Sequence, residues 1–277
     1  MKQLFDQVSN QTNRRILHAY NKSFSLATKL LSKDIRNHIC NLYGVLRCAD
    51  EIVDSFTEYD QEYLLDGLYY DVEEAIKHKI SLNPILNAFQ DTFYKCNLST
   101  HLIHDFMKGM YIALKKDCNT AEAYNTNRFI AANSVGLMSL HIFVYGDKTK
   151  FKALKEGAIA LSNALQKINI LQDLNSGELD KENLFIADLK LKKFDVYAKD
   201  KIICDIEEQL KRAYRDIKRL PKSSRLGVYV IYKYSKKLLS AIKDTPISEV
   251  SSKIHVTKYK KSIVVASAYV QHKLNIL

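Results

Sequence analysis

The sequence predicts an all-α bundle of long helices, and three observations carry that expectation. Only 3 prolines and 8 glycines punctuate the 277 residues, too few for the many turns of a sandwich or barrel. Apolar residues recur at steps of three and four through most of the chain, which is the period of an amphipathic helix. Start signals also stand where such helices would begin. Ser32 is placed to cap a helix reaching about Asp54, and Asp60 one reaching about His78. Asn83 followed by Pro84 pairs a cap with proline at the first helical position. Further helices are expected at about 100–116, 121–144, 148–176, 203–219, 223–242 and 258–276. The weakest stretch is 177–202, which is polar and then mixed.

The organisation expected is a single domain over residues 1–277, since no Gly/Ser linker, low-complexity tract or short repeat divides the chain. With 47% hydrophobic and 26% charged residues, it can bury a sizeable core. The five cysteines, at 40, 48, 96, 118 and 204, are odd in number and scattered, so neither a disulfide framework nor a zinc site is expected, and a reducing cytoplasm fits. The opening MKQLFDQVSNQTNRR lacks the apolar core of a signal peptide, and no run of about 18 apolar residues could span a bilayer. The expectation is a cytoplasmic protein that is soluble or rests peripherally on the inner face of a membrane. A net charge of +11 would suit a nucleic-acid binder. However, the lysines are spread along the chain, with local density at 190–201, 211–222 and 253–261, and no nucleic-acid motif accompanies them. The reading is a solvated basic surface, or attraction toward anionic lipid or diphosphate, without a nucleic-acid partner.

Two segments carry chemistry. In ICNLYGVLRCADEIVDSF (39–56), Leu42, Val45, Leu46, Ala49, Val53 and Phe56 form an apolar face, while Tyr43, Arg47, Asp50 and Asp54 fall at steps of four, three and four. Asp50 and Asp54 repel one turn apart, and Asp is a poor residue inside a helix. A hard divalent cation such as Mg²⁺ would offset that cost, because it takes carboxylate oxygens and is shared with substrate phosphates. A bare DxxxD is more often a solvated acidic helix end. The second segment shifts the balance: Ala158, Leu161, Leu165, Ile168 and Leu171 build an apolar face, and Ser162, Gln166, Asn169 and Asp173 again fall at steps of four, three and four. Two such helices facing one cavity would offer carboxylates, amides and an arginine beside apolar walls, which is what a diphosphate with a long hydrocarbon tail needs.

These segments resemble the squalene/phytoene synthase family, most closely the bacterial phytoene synthases in pattern. The likeness runs through NKSFSLATKLL (21–31), YGVLRCADEIVD (43–54), NSVGLMSLHIF (133–143) and LQKINILQDL (165–174). It implies an all-α class I isoprenoid (terpenoid) synthase bundle around a central cavity, Mg²⁺ as cofactor, and head-to-head joining of two prenyl diphosphates through a cyclopropyl intermediate. It further implies that Asp50, Asp54 and Asp173 are catalytic metal ligands. Arg47, Lys22, Ser23 and Tyr43 would lie near the diphosphate, as would Gln166 and Asn169 as the polar pair of the second helix. The physical chemistry is consistent: ionising an allylic diphosphate needs positive charge at the leaving group and a dry pocket for the carbocation.

The chain also departs from the family pattern. Gly177 stands where the second aspartate-rich motif would close, and Gln172 replaces an arginine. Glu178 or Asp180 is then the candidate replacement metal ligand. Tyr111 and Ala113 occupy an acidic pair's place, Phe129 that of a tyrosine near the cyclopropyl step, and Asn183 that of an arginine. Three functions from different classes follow: a phytoene-type prenyltransferase acting on geranylgeranyl diphosphate, a class I terpene cyclase or diphosphate lyase acting on one substrate, and an inactive relative with a binding or structural role. His101 and His104 are read as structural or exposed. Lys253, His255, Lys258, Lys260 and Lys261 are read as a basic turn, and the tyrosines at 229, 232 and 234 as core.

Overall fold

The computed structural model describes residues 1–115, 121–173 and 194–246, together with Val265, Ser267, Ala268 and Gln271; for Ser23, 121–125 and Asp173 it describes the backbone alone. Ten helices follow one another in this described part: α1 (Lys2–Tyr20), α2 (Lys22–Thr28), α3 (Lys33–Asp54), α4 (Gln61–His78), α5 (Pro84–Lys95), α6 (Thr100–Lys115), α7 (Ala121–Phe143), α8 (Lys148–Asp173), α9 (Val196–Ile217) and α10 (Lys222–Asp244). No strand occurs among the described residues. The all-α expectation is therefore met.

The caps act largely as the sequence suggests. Asp60 accepts from the Tyr63 N–H at 3.0 Å, and Asn83 from the Ile85 N–H at 3.0 Å with Pro84 at the first helical position. Each satisfies an amide that the helix leaves unpaired. Ser32 stands at the N-cap of α3 but makes no side-chain cap bond; its own N–H instead donates to the Ser223 carbonyl at 2.8 Å, tying α3 to the start of α10. One boundary differs from expectation, and one residue falls off its expected face. α9 begins at Val196, where Asp195 caps the Ala198 N–H at 2.8 Å, so the helix takes in part of the stretch that looked irregular. α3 stops at Asp54, which leaves Phe56 exposed beyond the helix rather than on its apolar face. Most of 258–276 lies outside the described residues, as does the basic turn at 253–261.

Two hydrophobic clusters build the core. One gathers Leu154, Ile168, Leu171, Ile202, Ile206 and Leu239 from α8, α9 and α10; the other gathers Ile39, Val45, Leu86, Phe89 and Phe106 from α3, α5 and α6. Phe143, Phe151 and Ala158 touch both. α1 docks differently, because its buried residues Ser9 and Asn13 are polar and only Leu17 is apolar. Asn13 donates to Asn41 Oδ1 and to the Ile85 carbonyl at 3.2 Å each, while Asn41 donates to Asn10 Oδ1 at 2.9 Å and Thr92 Oγ1 at 3.1 Å. Most of the buried polar atoms are thus paired across α1, α3 and α5, although Asn13 Oδ1 and Asn87 Oδ1 have no partner.

Burial pushes the imidazoles of His38 and His141 below their ordinary value of 6.5. The His141 ring stacks on Phe151 at 3.8 Å, and its Nδ1 has no partner. A histidine held neutral in the fold but free to charge when unfolded stabilises fully above the unfolded value, and that contribution is lost as pH falls below about 6.5. Chemical denaturation at pH 7 and pH 5 should show stability falling with acid, and falling less steeply in His141→Phe, which keeps the stacking. An equal slope in the variant would remove His141 as the cause. Among the described residues no helix is long and apolar enough to cross a membrane.

Candidate active site

Between the two hydrophobic clusters lies a cavity of about 810 Å³. Its walls come chiefly from α3, α6, α7, α8, α9 and α10. Its two ends can be told apart from three contacts. Ser32 at the start of α3 donates to Ser223, Ser224 Oγ donates to the Phe143 carbonyl at 3.1 Å, and the turn after Phe143 leads directly into α8. The starts of α3, α8 and α10 therefore meet the end of α7. From there α3 and α8 run together toward the opposite end, while α7 runs back from it. Leu154, Leu220 and Phe143 line the first end; Asp50 and Asp54 near the close of α3, Gln166 and Asn169 near the close of α8, and Arg128 in the first half of α7 line the second. Asp54 and Asn169 are exposed, so the polar end opens to solvent. From Asp54 to Ile39, from Asn169 to Leu154 and from Arg128 to Phe143 the lining covers about four turns, or ~22 Å at the rise of an α-helix.

The sequence-predicted residues separate clearly. Tyr43, Asp50 and Asp54 line the cavity from α3, and Gln166 and Asn169 line it from α8 together with Ser162. Gly136 of α7 makes that close approach workable, since a Cβ there would lie 1.9 Å from Ser162 Oγ. Burial, with help from the charge of Asp54, pushes the Asp50 carboxyl up to about 6 against the opposing pull of Arg47. Burial likewise raises the Tyr43 phenol, again opposed by Arg47. The ring of Tyr43 packs on Phe24 at 5.8 Å.

Arg47 stands at the edge of the stripe, where its charge acts on Asp50 and Tyr43. It does not line the cavity; its guanidinium pairs with Glu51 and lies 4.4 Å over the ring of Tyr20. Glu51 one turn ahead and Tyr20 at the end of α1 offer a nearer charge and an aromatic face, and a long side chain at the edge of the stripe takes them. Lys22 is exposed and also absent from the lining; Asn21 and Phe24 line it instead, Asn21 capping α2 through the Phe24 N–H at 2.9 Å. The side chains of Ser23 and Asp173 and the whole of Gly177, Glu178, Asp180 and Asn183 lie outside the described residues. His101 and His104 are exposed and pair with Asp105 and Tyr69.

Sequence reasoning missed Arg128 and Tyr234, both of which line the cavity. Tyr229 and Tyr232, grouped with Tyr234 in sequence, instead stack with Tyr214 between α9 and α10. Phe129 is buried in the core, with the Lys167 ammonium 5.7 Å from its ring centre. Tyr111 donates its hydroxyl to Asp66, and Ala113 lines the cavity.

Among the described residues no group of three His, Cys, Asp or Glu side chains gathers to hold a metal. The donors present nevertheless suit a hard cation: two carboxylates one turn apart, about 6 Å between their Cβ atoms, one of them half-buried and raised in pKa by that burial and, second, by the other. A divalent ion held by the pair would relieve that repulsion.

The squalene/phytoene synthase family model matches residues 17–260. The chain belongs to that family. Phytoene synthase 1 of Solanum lycopersicum is 26% identical over 269 residues, which cover 90% of this chain and 65% of that protein; phytoene synthase of Daucus carota is 25% identical over 279 residues, 90% and 67% of the two chains. The chain thus spans about two thirds of the length of these plant relatives. Among solved structures a dehydrosqualene synthase superposes with a TM-score of 0.79 at 17% identity, over 97% of this chain and 98% of that one. A squalene synthase from Alicyclobacillus acidocaldarius superposes with a TM-score of 0.69 at 17% identity, over 86% and 94%. The helical bundle around a cavity is therefore the all-α isoprenoid synthase fold, and the chain falls among prenyltransferase-type synthases at the level of this squalene/phytoene synthase family.

Proposed function

We propose that the protein is a Mg²⁺-dependent prenyltransferase that joins two prenyl diphosphates head to head, geranylgeranyl diphosphate being the substrate that its likeness to phytoene synthases suggests. One observation carries the reading: Asp50, Asp54, Gln166 and Asn169 share the open end of a four-turn apolar tunnel. A diphosphate at that end would leave its hydrocarbon tail against Leu42, Leu46, Leu161 and Leu165, where apolar contact is favourable.

Asp50 and Asp54 would hold the metal, which supplies positive charge against the leaving diphosphate. The amides of Gln166 and Asn169 are placed to orient diphosphate oxygens. Heterolysis of the allylic C–O bond sends the electron pair to diphosphate. The resulting carbocation adds to the double bond of the second substrate, and loss of a proton closes a cyclopropane. A second ionisation, rearrangement and proton loss give the C40 triene core without a reductant. The aliphatic walls exclude the water that would capture either cation.

A second reading draws on Phe129, which is buried in the core and offers no hydroxyl at the cavity. It is a cyclase or lyase that ionises a single prenyl diphosphate. Incubating the protein with C10, C15 and C20 prenyl diphosphates and MgCl₂, then measuring released diphosphate and extract masses, separates the two. Diphosphate with a C40 hydrocarbon supports the condensation. Diphosphate with a product of one substrate's carbon count replaces it with the second reading, and release of neither makes the protein an inactive relative.

A further inference from the structure

Four charged side chains line the cavity among the described residues: Asp50, Asp54, Arg128 and Asp216. The first three belong to the open end. Asp216 stands alone at the other, where Leu154, Ala213, Ile217 and Leu220 make the neighbouring wall apolar. Its height along the tunnel follows from the packing of α8 on α9. The Gly157 N–H donates to Asp216 Oδ2 at 3.1 Å, and Lys167 pairs with Asp205, so the two helices run antiparallel and Asp216 lies level with Gly157. From Asn169 back to Gly157 is twelve residues of α8, or ~18 Å at the rise of an α-helix. A head group fixed at the open end would send its tail down that length before a carboxylate meets it.

We infer that Asp216 is a specificity-determining residue, whose carboxylate sets the longest tail the tunnel accepts by ending the apolar wall in a charge. The inference rests on the prenyl diphosphate reading above and gives it a length limit. The carboxylate is fixed in place. Besides the Gly157 N–H it takes Arg219 Nη1 at 2.9 Å, and the same Nη1 reaches the Ala153 carbonyl at 3.4 Å. Gly157 permits this close seat, because a Cβ there would lie 2.5 Å from Asp216 Cβ and Oδ2. The Asp216 side chain is 20% exposed and that of Arg219 57%, so the ion pair borders the tunnel on one side and water on the other. A tail that stops short of it leaves the pair hydrated and is buried against Ala158, Leu161 and Leu165. A longer tail must press hydrocarbon onto the carboxylate, stripping its water with no hydrogen bond in return, or push it off Gly157 and Arg219. With a C20 tail as the suggested substrate, the limit falls between C20 and C25.

The test is calorimetric titration of three tail-only probes, farnesol (C15), geranylgeraniol (C20) and geranylfarnesol (C25), into wild-type protein, Asp216→Ala and Asp216→Asn, with circular dichroism checking helix content. Wild-type protein should bind geranylfarnesol about 10-fold or more weaker than geranylgeraniol, and Asp216→Ala should cut that ratio to below about 3-fold. Asp216→Asn keeps the shape and the acceptor for the Gly157 N–H but not the charge, and its ratio should fall between the two. Farnesol, whose tail ends before Asp216, should change by less than about 2-fold in either variant. A folded Asp216→Ala with the wild-type ratio overturns the role of Asp216 while leaving the proposed function standing. So does wild-type protein that binds C25 as tightly as C20. Equal losses for all three probes make Asp216 a structural residue and also overturn it. Wild-type protein that binds none of the three overturns the functional reading itself.

Discussion

Asp50→Asn lowers diphosphate release from a prenyl diphosphate by about 10²-fold or more, the scale on which a metal ligand or an electrostatic stabiliser of a leaving group acts. The substitution keeps the shape of the side chain and its place in α3 and removes only the charge. Its effect on folding has the opposite sense. Asp50 is half-buried, its carboxyl is raised to about 6 by burial and by Asp54, and only Arg47 opposes that rise. At pH 7 the fold therefore carries a desolvated charge facing a like charge one turn away, and an amide relieves both. Thermal stability without metal should stay level or increase while activity collapses. A residue kept for packing would show the reverse order, with stability lost first. Turnover within 3-fold of wild type, measured at saturating MgCl₂, would remove Asp50 from the machinery and with it the metal role assigned to the α3 stripe.

The stripes of α3 and α8 were legible because their polar residues interrupt otherwise apolar helices at helical spacing. Tyr43, Asp50, Asp54, Gln166 and Asn169 duly face one cavity. Arg47 belongs to the same stripe but is not among the lining residues. At 100° per residue it lies about 60° round the helix from Asp50, at the stripe's edge, and a long flexible side chain there follows whichever partner is nearer. Tyr20, brought in by α1, supplied that partner, and nothing in a local pattern announces a contact made by a distant helix. Arg128 escaped notice for a related reason. It stands alone among polar residues, in the segment NTNRF, and only the register of α7 against α6 and α8 turns it inward.

α1 shows the limit of hydrophobic periodicity from another side. Its buried stripe is polar, and Asn13 and Ser9 are fully enclosed. A hydropathy pattern scores such a face as solvated. The partners that make it burial-competent, Asn41, the Ile85 carbonyl and Asn87, belong to α3 and α5, far away in sequence. The start of α9 was hidden by the polar run before it, although Asp195 was a legitimate cap in the sequence all along.

Lys167→Ala should be the most destabilising single change near the site. Lys167 follows Gln166 on α8 and points the other way: it is 2% exposed, its ammonium pairs with Asp205 of α9, and it lies over the ring of Phe129 of α7. Three of the helices that wall the cavity are thus joined by one side chain that directly follows the tunnel-lining Leu165 and Gln166. Truncation removes a packed aliphatic stem, forfeits the contact with the aromatic face and strands the Asp205 carboxylate. A fully buried pair would lose about 3–5 kcal/mol. Asp205 remains 27% exposed and water recovers part of its solvation, so about 2–4 kcal/mol is expected. Lys167→Met keeps most of the volume and should lose less, which separates the packing contribution from the charge contribution. The rotation of α8 that turns Gln166 and Asn169 toward the tunnel depends on the same anchor, so diphosphate affinity should fall in Lys167→Ala even at temperatures where the protein stays folded. Urea denaturation showing a loss below about 0.5 kcal/mol, the range of an exposed substitution, would mean that α8 is held by its apolar face alone, through Ile168 and Leu171, and that the ion pair is incidental to the geometry of the site.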